Sequence, residues 1–82
     1  MIDYETVLLD LVKPMVEDKT NVSVKQMDSL DDKEILLYVY ANSEDVARLI
    51  GRRGMMASSI RQLMSVASRQ DDKHVTIKFE SY

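Results

Sequence analysis

An α+β domain of order αββααβ is predicted by three observations: an apolar stripe of helical period at the amino end, two strand-like runs separated by an acidic turn, and a pair of helical segments leading into a third strand. At 82 residues the chain has room for one domain, spanning 1–82, and for one modest core.

The first helix rests on Tyr4, Val7, Leu8, Leu11, Val12, Met15 and Val16, which recur at spacings of three and four. Asp3 can cap it, and Glu5 is well placed against the positive end of its dipole. Pro14 lacks the amide that would bond the carbonyl of Asp10, so a kink or an irregular last turn is expected. Val22 and Val24 then alternate with Ser23 and Lys25, the pattern of a half-buried strand over 21–28, and "DSLDDK" follows as turn material. "EILLYVYA" from Glu34 is almost continuously apolar and rich in β-branched and aromatic residues, which predicts the central and most buried strand.

Ser43 can cap the next helix, whose first turn carries Glu44 and Asp45. Its buried side would be Val46, Ala47, Leu49 and Ile50, leaving Arg48 facing water, and Gly51 stands where a left-handed glycine would end it. A further helix from about Met55 to Arg69 would bury Met56, Ala57, Ile60, Leu63, Met64 and Ala67. "HVTIKFE" from His74 closes the fold as a strand with Val75, Ile77 and Phe79 on one face and His74, Thr76 and Lys78 on the other.

Composition removes several chemistries. Without cysteine there is no disulfide, thiolate metal site or cysteine nucleophile. No apolar run reaches 18 residues and the amino-terminal helix carries acids, so neither a signal nor a membrane segment is expected and the chain reads as cytoplasmic. His74 has no second histidine near it, which argues against a metal site. The pairs Asp31/Asp32 and Asp71/Asp72 fall in loops, where solvation accounts for them, and no nucleophile, base and oxyanion-binding set is present. The sequence therefore points to no enzyme, no cofactor and no small-molecule substrate.

The net charge of −3 is unevenly spread. All five arginines, Arg48, Arg52, Arg53, Arg61 and Arg69, lie between Val46 and Gln70, where there is no acid, while six lysines against fourteen acids leave −8 on the rest. The only two glycines, Gly51 and Gly54, enclose Arg52 and Arg53 in the middle of this basic stretch. Helix, glycine, two residues, glycine, helix is an arrangement in which a phosphodiester can lie close to bare backbone. The amides opening the second helix add partial positive charge there, and the arginines add full charges. "GRRG" lacks the lysine and hydroxyl of a nucleotide-binding phosphate loop, and by itself the four-residue pattern is common.

In this context, "RLIGRRG" at the junction of two helices within αββααβ resembles a type II KH domain, and the short chain is similar to the small bacterial KH proteins of the KhpA family. The resemblance spans nearly the whole chain. It implies a loop, Gly51, Arg52, Arg53 and Gly54, that clamps the sugar-phosphate backbone of about four single-stranded nucleotides, preceded by the apolar Ile50 and flanked by Arg48 and Arg61. Ile60 and Arg61 match the "IR" that often follows the loop, whereas Met55 stands where a basic residue is common. The implied function is single-stranded RNA binding of low sequence specificity, as a post-transcriptional regulator or RNA chaperone, with the larger KH protein called KhpB or Jag as a heterodimer partner. The implied topology is a mixed sheet with strand 73–80 parallel to the central strand, strand 21–28 antiparallel to it, and all three helices on one face. Leu36, Tyr38 and Tyr40 would then share the open face with Thr76 and Lys78; aromatics so placed are read as cross-strand packing residues partly open to water rather than as a base-stacking platform.

A second function class competes with the first. On the helix from Met55 to Arg69, the residues Met55, Ser59, Gln62 and Val66 form a row beside Leu63 that the monomer's core does not require. The row predicts a homodimer through this helix, in competition with the heterodimer. The alternative function is accordingly a protein-pairing module with weak or no RNA binding.

Overall fold

A computed structural model describes residues 3–82 of the chain. Its elements follow the expected order: α1 (Tyr4–Val12), β1 (Ser23–Met27), β2 (Glu34–Ala41), α2 (Ser43–Ile50), α3 (Met55–Arg69) and β3 (His74–Ser81). Short 3₁₀ turns occupy Lys13–Met15 after α1 and Arg52–Gly54 between α2 and α3.

Asp3 caps α1 as its chemistry suggests, accepting from the Thr6 amide at 3.3 Å and from the Thr6 hydroxyl at 2.8 Å. Pro14 ends regular hydrogen bonding where its missing amide requires, and the last turn tightens into the 3₁₀ form. β1 is shorter than the stretch 21–28, but Val22 and Val24 are both buried.

β2 is the middle strand of a three-stranded sheet of order β1-β2-β3. β1 pairs with it antiparallel and β3 parallel, as a crossover through two helices demands. Along β2, Ile35, Leu37, Val39 and Ala41 are buried in strict alternation with Leu36, Tyr38 and Tyr40, because one face is covered by helices and the other is not. Leu8 and Val12 of α1, Leu49 of α2, and Ile60 and Met64 of α3 meet that covered face together with Ile77 of β3. Each such side chain contributes about 1.5–3 kcal/mol by leaving water.

Both outer edges of the sheet carry a side-chain contact. The Gln26 amide on β1 donates to the Glu5 carboxylate at 3.1 Å, and Arg61 donates from Nη2 to the Ile77 carbonyl on β3 at 3.4 Å.

Three sequence expectations are corrected. The cap of α2 is Asn42, whose Oδ1 accepts from the Asp45 amide at 2.9 Å, and Ser43 is the first helical residue. The buried face of α2 also differs from the expected one: Asp45, held by the Glu17 and Asp18 amides, and Leu49 are buried, Val46 is half-buried, and Ala47 and Ile50 are exposed. On α3 the buried row is Ala57, Ile60, Met64 and Ser68, whereas Met56 and Leu63 lie in solvent. The arc of α3 against the sheet is one residue wide per turn, narrower than its apolar content suggested.

Candidate nucleic-acid interface

The turn between α2 and α3 is built by two glycines in different ways. Gly51 donates its amide to the Ala47 carbonyl at 3.0 Å and so ends α2, with φ 75° and ψ 177°. This is not the left-handed helical conformation expected for it but an extended, positive-φ region that is almost exclusive to glycine. A Cβ there would lie 2.6 Å from the Met56 Cβ and 3.0 Å from the Met56 amide nitrogen. Gly54 takes the left-handed conformation itself, φ 74° and ψ 11°, and a Cβ on it would meet nothing within 4 Å. One glycine is enclosed and the other is open.

Between them Arg53 also has positive φ, 56°, which costs a non-glycine residue about 1–2 kcal/mol. Arg52 and Arg53 are exposed, and among the described residues neither takes part in an ion pair. Gly54 occupies the N-cap of α3 and offers no side chain, so the first-turn amides beyond Met55 have no side-chain partner. The result is a convex turn of two unpaired guanidinium groups beside bare backbone and the positive end of a 15-residue helix.

The flanking residues divide. Ile50 is exposed beside the turn. Arg61 lies six residues into α3, about 9 Å along the axis from Met55, with its guanidinium carbon 6.0 Å from the centre of the Phe79 ring. It joins the open edge of β3 to the loop side of α3. Arg48 is engaged elsewhere: its Nη1 is 2.8 Å from Asp45 Oδ1 and its Nη2 3.0 Å from Glu17 Oε2. Its charge is therefore compensated within the fold.

Asp45 was not singled out from the sequence, yet it is a junction. Its buried carboxylate accepts from the amides of Glu17 at 2.9 Å and Asp18 at 3.1 Å as well as from Arg48, fixing the segment after α1 to the start of α2. The backbone hydrogen bond from Glu17 is the main cause that holds its pKa below the usual carboxylate value. With the folded value depressed, its stabilisation is complete above the ordinary carboxylate pKa and is lost as pH falls through the folded one. The sequence did hold a signal: with Asn42 as cap, Asp45 occupies the third helical position, where a capping acid is common.

The residues expected at a pairing surface do share one exposed face. Met55, Ser59, Gln62, Leu63 and Val66 are all exposed along α3, with Met55 at 67%, Leu63 at 58% and Val66 at 61%. Met56, at 41%, extends the same apolar surface toward the loop. At the opposite end of the molecule, His74 is exposed, with Nε2 3.7 Å from Glu34 and 3.9 Å from Asp31. Among the described residues no three histidine or acidic side chains form a metal-holding group, and no helix is long and apolar enough to cross a membrane.

Comparison with known proteins adds sequence relationships to this geometry. A family model described as "KhpA/KhpB, KH domain" matches residues 5–79. A protein of Lactiplantibacillus plantarum named RNA-binding protein KhpA is 30% identical over 80 residues, 98% of this chain and 92% of its own length. Proteins of the same name from Listeria monocytogenes and Clostridium perfringens are 27% identical over 74 residues and 26% identical over 68 residues. The first alignment covers 90% of this chain and 95% of the relative, the second 83% and 88%.

Proposed function

The chain belongs to the KhpA/KhpB family of KH domains, and we accordingly propose that it binds single-stranded RNA by clamping the sugar-phosphate backbone on the turn Gly51-Arg52-Arg53-Gly54. The observation that carries this reading is the open backbone at Gly54, preceded by two exposed arginines that form no ion pair among the described residues. A phosphate seated there meets amides at the start of α3 and the charge of Arg52 and Arg53. Ile50 supplies an apolar contact for a base, and Arg61 a further cation along the strand's path. Arg48 stabilises α2 rather than the ligand.

These contacts address phosphate and sugar, which are common to every sequence, so binding is of low sequence specificity. A footprint of about four nucleotides is small, and affinity for longer RNA then depends on presenting several such sites together. A role as RNA chaperone or post-transcriptional regulator, acting beside a partner KH protein of the KhpB type, follows from that need.

Salt dependence tests the clamp. The logarithm of the association constant for a single strand should fall linearly with the logarithm of salt concentration, and the double variant Arg52→Ala, Arg53→Ala should flatten the slope by about 1.4. An unchanged slope would show that neither arginine meets a phosphate.

The exposed row on α3 favours pairing as well. We place a homodimer on Met55, Ser59, Gln62, Leu63 and Val66, in competition with a heterodimer through the same helix. Two-fold symmetry sets α3 against its own copy, and Leu63 and Met56, being exposed, enlarge the apolar area available. Sedimentation of Val66→Glu beside the parent reads this directly: a folded monomer is expected for the variant, and a parent that is monomeric at tens of micromolar excludes the homodimer.

A further inference from the structure

The sheet face turned away from the helices is uncovered, and the register gives it an ordered composition. Tyr38 on β2 has Lys25 beside it on β1 and Lys78 beside it on β3. Tyr40 stands between Ser23 and Glu80. The Tyr82 amide donates to the Ala41 carbonyl at 3.1 Å, which extends the parallel pairing of β3 with β2 by one residue, so alternation sets the Tyr82 side chain on this face with Thr76, Lys78 and Glu80. Its hydroxyl lies 3.2 Å from that of Ser23.

Three of the four tyrosines thereby form one row. Ring centres of Tyr38 and Tyr40 are 6.1 Å apart at 28°, and those of Tyr40 and Tyr82 6.3 Å apart at 24°. On the β1 side a crevice of about 490 Å³ runs from Tyr40 and Tyr82 past Ser23, Lys25 and Met27 and round the sheet edge to Val24 and Glu5, whose carboxylate is engaged by the Gln26 amide. Tyr82 is 72% exposed. Among the described residues neither Lys25 nor Lys78 forms an ion pair. Cross-strand packing explains why Tyr38 and Tyr40 are half-buried, but it does not explain an exposed third ring set beside Tyr40 or two uncompensated lysines beside Tyr38.

We propose that this open face is a second surface for single-stranded RNA, on which Tyr40 and Tyr82 stack bases while Lys25 and Lys78 hold phosphates. The inference rests on the RNA-binding reading of the Gly51–Gly54 turn and extends it. Tyr40 and Tyr82 offer ring faces to bases, and one register step away Lys25 and Lys78 flank Tyr38 as cations for the phosphates between them, while Glu80 beside Tyr40 keeps phosphate to the lysine side of the row. A protein partner seated here would have to bury both lysines, which is costly without acids of its own aimed at them. Topology supplies continuity: α3 carries the chain from the turn back to the start of β3, so the turn lies toward the end of the sheet where β2 and β3 finish, the end that holds Tyr40 and Tyr82. A strand leaving the turn reaches the tyrosine row by passing over that end.

The test compares an unstructured tetranucleotide with a dodecanucleotide, both RNA, against the parent, Tyr82→Ala, Lys25→Ala with Lys78→Ala, and Arg52→Ala with Arg53→Ala. Tyr82 is 72% exposed, so its removal leaves the core in place. Tyr82→Ala should weaken the dodecanucleotide about tenfold and leave the tetranucleotide unchanged, the lysine pair should do the same with a shallower salt slope, and the loop variant should weaken both. Tyr82→Phe, which keeps the ring, should bind as the parent does. Since the chain has no tryptophan, quenching of tyrosine emission by the dodecanucleotide but not the tetranucleotide gives an independent readout. Parental affinity of the tyrosine and lysine variants for the longer strand, with the loop variant impaired, overturns the second surface and leaves the clamp standing. A shift in oligomeric state on Tyr82→Ala with RNA affinity unmoved assigns the face to a protein instead. A parent that binds neither strand overturns both readings.

Discussion

Reversing both loop charges, Arg52→Asp together with Arg53→Asp, is expected to abolish binding of single-stranded RNA while leaving the thermal midpoint close to that of the parent. Two phosphate contacts are lost, and two negative charges are set against the phosphates that remain. Like-charge juxtaposition costs several kcal/mol, so a loss of at least about a hundredfold follows. The fold should tolerate the change for a specific reason. Arg53 has positive φ, and aspartate is among the few residues that enter the left-handed region readily. Neither arginine makes a protein ion pair whose loss would destabilise the chain. Fluorescence anisotropy with a labelled oligonucleotide, alongside a melting curve, reads both halves. Parental affinity in a folded variant would remove the turn from the binding surface.

Gly51→Ala should unfold the protein far more readily than Gly54→Ala, although the two glycines bracket the same turn. At position 51 the new methyl would lie 2.6 Å from the Met56 Cβ, and φ 75° with ψ 177° is closed to alanine. Backbone strain alone costs about 1–3 kcal/mol, and relieving the overlap requires α2 and α3 to part at their junction. For a domain of this size the combined effect is a fall in Tm on the order of 15 °C or more. At position 54 the methyl meets empty space, and the left-handed penalty is about 1–2 kcal/mol. Gly54→Ala should therefore stay folded, yet bind RNA more weakly because a methyl now stands where the phosphodiester approaches. Equal melting temperatures for the two variants would contradict this division.

The same turn shows what the sequence revealed and what it withheld. That both glycines were needed, and that α3 begins at Met55 and β2 at Glu34, was legible because each boundary is set by local chemistry: a glycine cluster, a turn of acids, the onset of alternation. Their separate purposes were not legible, since the enclosure of Gly51 depends on where Met56 comes to rest after the chain has turned. Met56 and Leu63 were expected in the core because helical spacing marks a candidate face without fixing how much of it the sheet covers. Asp45 escaped notice for a related reason. Its partners at Glu17 and Asp18 lie 28 and 27 residues away, and nothing in the spacing announces that contact. Arg48, still exposed, pairs with Asp45 one turn back on α2 and with Glu17 from the segment after α1, so one of the five arginines that polarise the sequence is tied to acids outside the basic stretch.

Arg61 covers a sheet margin as well as standing near the turn. A three-stranded sheet has two free margins, each a template onto which another chain can add a strand, and proteins commonly discourage such growth with charged side chains. Here Glu5 guards one margin at Gln26 and Arg61 guards the other at Ile77. On the proposed clamp, an Arg61 drawn to a phosphate would release the Ile77 carbonyl, so RNA occupancy and protection of the β3 margin would compete for a single guanidinium. The bound strand would itself then have to shield that margin, and its departure would return Arg61 to the Ile77 carbonyl.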